Sequence, residues 1–484
     1  MEEEKKGITA KKSENFSEWY TQVLIKSEFI DYSDVSGAII FRPDAYAVWE
    51  RIVGAVDSEF KKAGIDNVYF PLFIPEHFLA KEQEHLEGFV PEVAWVTETG
   101  SSKLSERLAV RPTSETIIYP SFSKWIRSWR DLPIRYNLWN NVVRWEFKNP
   151  TPFIRSREFL WNEGHSAYAT EKEARAERDI ILGIYQKALK EYLALPGIVG
   201  KKTDKEKFAG AVESYSIEHI MPDGWAIQGP DWHFDGQNFA KAFGISYLDR
   251  NGKKEFVWQN TYAISTREIG VMIATHGDDK GLIIPPRIAR IQIVIVPIFK
   301  SGNAEKVLEY ARKVESILKE SFRVKLDDRE GYTPGYKFND WELKGVPIRL
   351  EIGPKEVDGK EVVIARRDTG AKTATSIADI TQKIDLVLNE IHNKLYENAL
   401  NFMRAHMHKA SSYSEMKKLL KAQKPGIVQA PWCGSRECED KIKEETSAKI
   451  TNLPFEENGS MQKGMKCIYC DKPAKYIANF ARSY

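Results

Sequence analysis

Between Asn141 and His165 the chain reads NVVRWEFKNPTPFIRSREFLWNEGH, two extended segments joined by a loop holding Asn149-Pro150-Thr151-Pro152. Side chains on a strand alternate faces with a period of two. In the first segment Val143, Trp145 and Phe147 then share one face, and Val142, Arg144 and Glu146 the other. In the second, Arg155, Arg157, Phe159, Trp161, Glu163 and His165 all fall on one side. An exposed strand of mixed polarity carries Lys, Thr and Glu rather than buried-type aromatics beside arginines. Two guanidiniums, two aromatic rings, a carboxylate and an imidazole in register suit a small ligand that carries an anion and a flat ring.

A chain of 484 residues leaves room for two to four domains around such a face. Its net charge is only +2, so any nucleic-acid surface must be built by local asymmetry. No stretch of eighteen apolar residues occurs, so no membrane span is expected. The opening MEEEKKGITAKKSENF is charged and lacks the apolar core of a secretory signal, and a cytoplasmic protein is expected. All four cysteines lie in one short window as Cys433-x4-Cys438 and Cys467-x2-Cys470. Disulfides are unusual in such a compartment, and two close pairs read as a tetrathiolate zinc site with a structural role.

The apolar spacing of Tyr46, Trp49, Ile52, Val53, Val56 and Phe60 predicts a helix from about Asp44 to Lys62, capped by Gly64 and followed by a strand at Asn67–Phe70 ending in Pro71. Arg111-Pro112 breaks an apolar run, and Thr113-Ser114-Glu115 reads as a helix start with a hydroxyl capping the first backbone amides. In that first turn Glu115 complements the helix dipole or grips an ammonium group. A charged helix is expected from Glu171 to about Leu193, then a charged connector at Lys201–Lys207. Residues 284–392, opened by Pro285-Pro286, alternate strands (Ile291–Pro297, Val324–Asp327, Pro347–Ile352, Glu361–Ala365) with helices (Asn303–Ser321, Tyr336–Lys344), the pattern of a mixed α/β sheet. The stretch Ala399–Lys424 carries Arg404, Lys409, Lys417, Lys418, Lys421 and Lys424 against Glu415, a basic helix that suits phosphate or a solvated face.

These segments, in this order, resemble the class II aminoacyl-tRNA synthetases, and specifically the prolyl-tRNA synthetases of the archaeal/eukaryotic type. The first helix and the strand ending at Pro71 look like motif 1, the dimer-interface motif. Arg144-Trp145-Glu146 through Arg157-Glu158-Phe159 looks like motif 2, and Ser265-Thr266-Arg267 with Gly270 looks like motif 3. Arg111-Pro-Thr-Ser-Glu-Thr116 and Trp161-Asn-Glu-Gly-His165 join them in the manner of the prolyl enzymes. The likeness runs from about residue 15 to Tyr484. It implies an antiparallel-sheet catalytic domain over 1–283, an α/β anticodon-binding domain over 284–392 and a small zinc-binding α+β domain over 393–484.

The resemblance also implies a reaction. Proline's carboxylate attacks the α-phosphate of ATP, giving prolyl-adenylate and pyrophosphate, and a terminal hydroxyl of tRNA(Pro) then takes the prolyl group. Arg144 is expected at the α-phosphate and the proline carboxylate, Arg155 at the outer phosphates, and Phe159 and Arg267 on the two faces of adenine. Glu146, Gln228 and Gln237 complete the ATP set, with Mg2+ at the phosphates and Glu218 as its candidate ligand. Thr113, Glu115 and Glu163 are expected to hold the proline ammonium, with Trp161, Phe208, His165 and His233 around the ring. Glu342, Arg349 and Lys355 are expected to read the two guanines of the anticodon, with Arg366 and Arg367 on the tRNA backbone. The terminal Tyr484 is expected to turn back toward the active site. Where the family shows small hydroxyl residues before His233, this chain has Asp231-Trp232. Some prolyl enzymes insert an editing domain between motifs 2 and 3, and the interval here has no room for one.

Two other readings differ in kind. A synthetase-like protein that binds tRNA without catalysis is argued against by Arg144, Arg267, Thr113, Glu115 and His165. A threonine enzyme would carry a catalytic metal with a cysteine ligand, and no cysteine precedes Cys433.

Overall fold

A computed structural model describes residues 7–79, 92–146, 148–299, 302–455 and 464–484. Its centre is an antiparallel sheet. The strands β1 (Ile134–Val143), β2 (Glu158–Tyr168), β3 (Ile198–Lys201), β4 (Glu213–Ile220), β5 (Ala226–Gly236) and β6 (Trp258–Ser265) lie in the order β3-β4-β5-β6-β2-β1. One face is apolar. Tyr215, Ile217, Trp232, Phe234, Tyr262 and Ile264 pack there beneath the helices α1 (Pro43–Lys62) and Glu171–Glu191. Gly164 is required on this face, because a Cβ there would lie 1.9 Å from the Tyr262 ring. The opposite face is polar at its centre and covered at one end by α2 (Glu115–Trp125) and the short helix Asn238–Phe243.

The helix α1 buries Trp49, Ile52, Val56 and Phe60 as their spacing predicts, leaves Tyr46 exposed, and opens on Pro43. Gly64, at φ +74°, closes it: its N–H reaches Lys61 O, and Ile65 N–H reaches Phe60 O, the paired bonds of a Schellman cap. The helix Glu171–Glu191 opens on a reciprocal Thr170–Glu173 capping box.

Four local expectations change. The strand β2 begins only at Glu158, so Arg155 and Arg157 precede it; Thr151 and Arg155 pair across a tight turn, and Arg157 swings over the Trp145 ring at 4.6 Å. Phe147 lies outside the described residues. The strand expected at Asn67–Phe70 is only Asp66–Asn67, parallel to β1. Ser114 occupies the N-cap of α2 but makes no capping bond, because its hydroxyl is spent on Glu163. Lys202, in the expected charged connector, is instead buried against Glu218 at 2.6 Å.

Residues 293–376 form a second sheet with strand order Val324–Leu326, Ile293–Pro297, Ile348–Ile352, Glu361–Arg366, Lys372–Ser376; the first three strands are parallel and the rest antiparallel. The mixed α/β reading holds. The boundary expected at residue 392 falls inside one helix, Ile380–Ala405. Its successor is not one basic helix but a strand, Met407–Lys409, and a helix, Tyr413–Leu420. The C-terminal unit shares its sheet with the catalytic unit. Its strand Lys449–Pro454 pairs with β3, Leu453 with Lys201 and Pro454 with Gly200, so the described residues form one eleven-stranded sheet across both units.

Candidate active site

The register of the sheet sets the site. Glu163 on β2, Ala263 on β6 and Asp231 on β5 lie in one row, and His165, Thr261 and His233 in the next. Strand spacing places the outer members of each row about 10 Å apart. Between these rows the central strand contributes the small side chains of Thr261, Ala263 and Ser265, which leaves a depression between taller neighbours.

One wall is built of two buried carboxyls and an imidazole. Glu163 accepts bonds from Thr113 Oγ1 (2.8 Å), the Ser114 amide (2.6 Å), Ser114 Oγ (2.5 Å) and Asn140 Nδ2 (3.3 Å). Burial pushes its carboxyl up, but His165 and the hydroxyl donors outweigh burial and hold it down at about 2. Glu115 is also buried, and burial together with the Glu163 charge pushes its carboxyl up. The Thr113 hydroxyl touches both carboxyls. It owns one proton, so with that proton on Glu163 the contact to Glu115 is made by a protonated Glu115 donating to Thr113. Glu115, Glu163 and His165 present ligand atoms within 4.8 Å of one another, a cage that fits one compact cation.

Beside it stands a positive group. Arg144 is anchored through Nε to Pro112 O (3.0 Å), and its guanidinium lies 5.6 Å from the Phe159 ring and 5.1 Å from the Trp161 ring. Arg267, at the start of the helix Arg267–His276, is anchored to Ile154 O (3.2 Å) and Gln228 O (3.0 Å). Burial lowers its pKa, and Arg144 and Arg155 lower it further. Three guanidiniums thus converge on one field, the arrangement a polyphosphate neutralises. Trp161 is fixed by a 2.7 Å bond from Nε1 to Asn140 Oδ1. Phe208 stacks on His233 at 4.9 Å, and Ser214 Oγ meets both the Phe208 amide (2.9 Å) and His233 Nδ1 (2.8 Å).

Three models of known families match in sequence order: the "tRNA synthetase class II core domain (G, H, P, S and T)" over residues 95–276, the "Anticodon binding domain" over 292–386 and "Prolyl-tRNA synthetase, C-terminal" over 413–484. A proline–tRNA ligase of Natranaerobius thermophilus is 47% identical over 95% of this chain and 94% of its own. One of Cenarchaeum symbiosum is 45% identical over 99% and 100%. A crystal structure of prolyl-tRNA synthetase from Cryptosporidium parvum, complexed with halofuginone and AMPPNP, superposes with a TM-score of 0.95 at 45% identity, covering 99% of this chain and all of that one.

The chain belongs to the prolyl-tRNA synthetase family.

Against the residues expected from the family motifs, the structure brings Thr113, Glu115, Arg144, Phe159, Trp161, Glu163, His165, Phe208, Gln228, His233 and Arg267 onto one face of the sheet. Glu146 and Arg155 lie exposed on the loop between β1 and β2. Gln237 does not join them. It lies beyond the end of β5, nine positions after Gln228, about 30 Å along the strand, with its amide on Phe256 O. Glu218, expected at magnesium, has Oε1 engaged by Lys202 Nζ and Ser216 Oγ, both at 2.6 Å. Of the Asp231-Trp232 pair, Trp232 turns to the apolar core, while Asp231 stays on the open face between Gln228 Nε2 (2.9 Å) and His233 Nε2 (3.4 Å). Tyr484 bonds through its amide to the O of Ala226, two residues before Gln228 on β5, and through its hydroxyl to Asp223.

Sequence reasoning missed Ser114 and Asn140, which hold Glu163 and Trp161. The pairing of Asn140 with Trp161 across β1 and β2 makes this assignment, and it needs the register. It also missed Asp235, fully buried near Glu115 and Thr261. Burial and then Glu115 raise its carboxyl well above the usual range.

In the anticodon-binding unit, Glu342 and Arg349 line one cavity of about 180 Å³. Arg349 is held by Glu351 at 2.8 Å and lies over the Phe338 ring at 4.1 Å. Lys355 is exposed elsewhere, at the start of the helix Pro354–Gly359. Arg366 and Arg367 are not free for a nucleic-acid backbone. Arg366 is paired with Asp368 and Glu390, and buried Arg367 with Asp278 of the catalytic unit. The four cysteines are free thiols whose sulfurs all lie within 4.8 Å of one another. Cys433 Sγ is 3.6 Å from Cys438 and 3.7 Å from Cys470. A tetrahedral zinc with Zn–S near 2.3 Å spaces its sulfurs by about 3.8 Å, so the cluster fits that ion.

Proposed function

We propose that this chain activates L-proline with ATP and ligates it to tRNA(Pro). The observation that carries this reading is the cation cage of Thr113, Glu115, Glu163 and His165 on the same sheet face as Arg144 and Arg267, with Arg155 on the loop beside them. A zwitterionic amino acid spans that polarity, ammonium at the cage and carboxylate at the arginines. Small residues on the central strand and the Phe208, His233 and Trp161 rings suit a compact, rigid side chain.

Binding ionises Glu115, which then accepts the secondary ammonium while Glu163 keeps Thr113 and Ser114 oriented. Arg144 draws the carboxylate and the α-phosphate together, and a planar fork suits this bidentate task. Charge developing at phosphorus is stabilised by Arg144 and Arg267, whose buried anchors to Pro112, Ile154 and Gln228 keep them in place before reaction. Phe159 stacks on adenine, and Arg155 covers the outer phosphates. A magnesium ion carried by ATP would neutralise phosphate charge. Glu342 and Arg349 suit a guanine edge, the carboxylate for its amino group and the guanidinium for O6 and N7.

Cys433, Cys438, Cys467 and Cys470 would hold a closed four-coordinate zinc with a structural role. The exposed Tyr46, Tyr69 and Phe73, on and just beyond α1, suit a homodimer interface. The interval from Tyr168 to Trp258 is occupied by the helix Glu171–Glu191, β3 to β5, the helix Asn238–Phe243 and a short hairpin. No editing domain sits there. Alanine, lacking ring methylenes, is then rejected only by about 1–3 kcal/mol.

The decisive experiment is pyrophosphate exchange with each standard amino acid at fixed ATP. Proline-dependent exchange with weaker alanine and cysteine signals is expected. No exchange with any amino acid, or exchange led by another one, overturns the assignment.

A further inference from the structure

The segment Lys202–Phe208 carries a pocket ring, Phe208, and is bonded both to the catalytic unit, through Ser214 and Glu218, and to the C-terminal unit. It leaves β3 and forms a turn in which Thr203 Oγ1 accepts from the Glu206 amide (3.3 Å) and Thr203 O from the Lys207 amide (3.0 Å). The Thr203 hydroxyl proton goes elsewhere, to Glu439 Oε1 at 3.0 Å. Both side chains are buried, Thr203 at 3% and Glu439 at 2% exposure. Three further contacts reach the same segment from the C-terminal unit: Lys205 pairs with Asp440, Glu206 with Lys449 (3.1 Å), and Lys202 Nζ donates to Thr451 O (2.8 Å). Glu439 and Asp440 follow Cys438 directly in the first turns of the helix Arg436–Thr446. The cysteine cluster therefore anchors the helix end that presents them.

We propose that the C-terminal unit positions the proline pocket: Glu439, through Thr203, holds the Lys202–Phe208 turn so that Phe208 stands against His233. This rests on the reading of Phe208 as a wall of the proline pocket. Glu439 and Thr203 act as positioning residues, since neither touches substrate. The four-thiolate cluster then serves catalysis without joining the chemistry, by fixing a helix whose carboxylates organise a loop in another unit.

The test uses the full-length, zinc-replete protein. Thr203→Val and Glu439→Ala are each expected to raise the proline KM in pyrophosphate exchange about three- to tenfold, the factor one lost hydrogen bond supplies. The ATP KM and kcat stay unchanged, and deuterium uptake rises in residues 202–212. Thr203→Ser and Glu439→Gln keep a donor and an acceptor and should behave as the parent. The double variant should be no worse than the worse single one. Metal content should stay constant in Thr203→Val, which separates loop positioning from loss of the cysteine site. Depleting metal with a chelator should raise deuterium uptake in the same segment. A normal proline KM in both single variants, with Phe208→Ala impaired, overturns the clamp alone. A normal KM in Phe208→Ala overturns the clamp and the pocket assignment together.

Discussion

Glu115 and Glu163 meet through a single hydroxyl, that of Thr113, and they sit at opposite ends of the carboxyl range. Glu163 has enough donors to stay ionised, and Glu115 does not. A prolinium ion needs Glu115 as the anion, so proline binding should release a proton. Between the ordinary carboxylate value and the raised value of free Glu115, each unit of acidification should weaken proline binding by up to tenfold. Above the raised value binding should level off. Titration of proline by calorimetry from about pH 6 to pH 9, in buffers of different ionisation heat, measures both the slope and the released proton. Glu115→Gln should abolish the slope and lose about 1.5–3 kcal/mol of proline affinity.

Lys202 and Glu218 form a buried pair, with side chains 4% and 2% exposed. Removing one partner strands the other. Lys202→Met should cost about 3–5 kcal/mol of stability, read from urea unfolding. Lys202→Met with Glu218→Gln should recover much of that loss. If the single variant is as stable as the parent, the pair is not structural.

Arg367 reaches Asp278 with both terminal nitrogens, at 2.9 and 2.6 Å, and Glu342 O through Nε. Burial raises the Asp278 carboxyl, but Arg367 and backbone amides lower it on balance. The tie is therefore fully present above the ordinary aspartate value and is lost as pH falls through the depressed one. Because Arg367 joins the anticodon-binding unit to the catalytic unit, Arg367→Ala should leave pyrophosphate exchange near normal and lower the rate of tRNA aminoacylation. Equal loss in both assays would place the defect in the active site instead.

Glu342 and Arg349 share one cavity. Each should contribute about 1–3 kcal/mol to recognition of an anticodon guanine. Glu342→Gln and Arg349→Met should raise the tRNA KM accordingly, without changing exchange. The loss should shrink for transcripts already lacking the guanine that each residue reads.

Much of the molecule was legible in one sequence because the information was local. The apolar spacing of Trp49, Ile52, Val56 and Phe60 and the left-handed Gly64 define α1 without knowledge of what covers it. The alternation Phe159, Trp161, Glu163, His165 places four functional groups on one side of β2. The four cysteines announce their cluster by spacing alone. Local rules failed where tertiary contacts outbid them. The Thr113 and Ser114 hydroxyls look like helix caps, but a buried Glu163 from a strand fifty residues away takes them. Arg366 and Arg367 are expected on the tRNA backbone, but Asp368 and Glu390 pair with the first and Asp278 with the second.

By itself, the sequence determined the identity and order of the chemical groups, the helices and strands that carry them, and the family to which they belong. These follow from periodicity, turn chemistry and short motifs, each confined to a few neighbouring residues. Only the tertiary structure decided which groups share a site. Register put Asp231 opposite Ala263 and Glu163, strand length carried Gln237 away from Gln228, and sheet pairing joined Lys449–Pro454 to β3. Those outcomes depend on burial and hydrogen-bond competition between residues far apart in the chain, which no local pattern records.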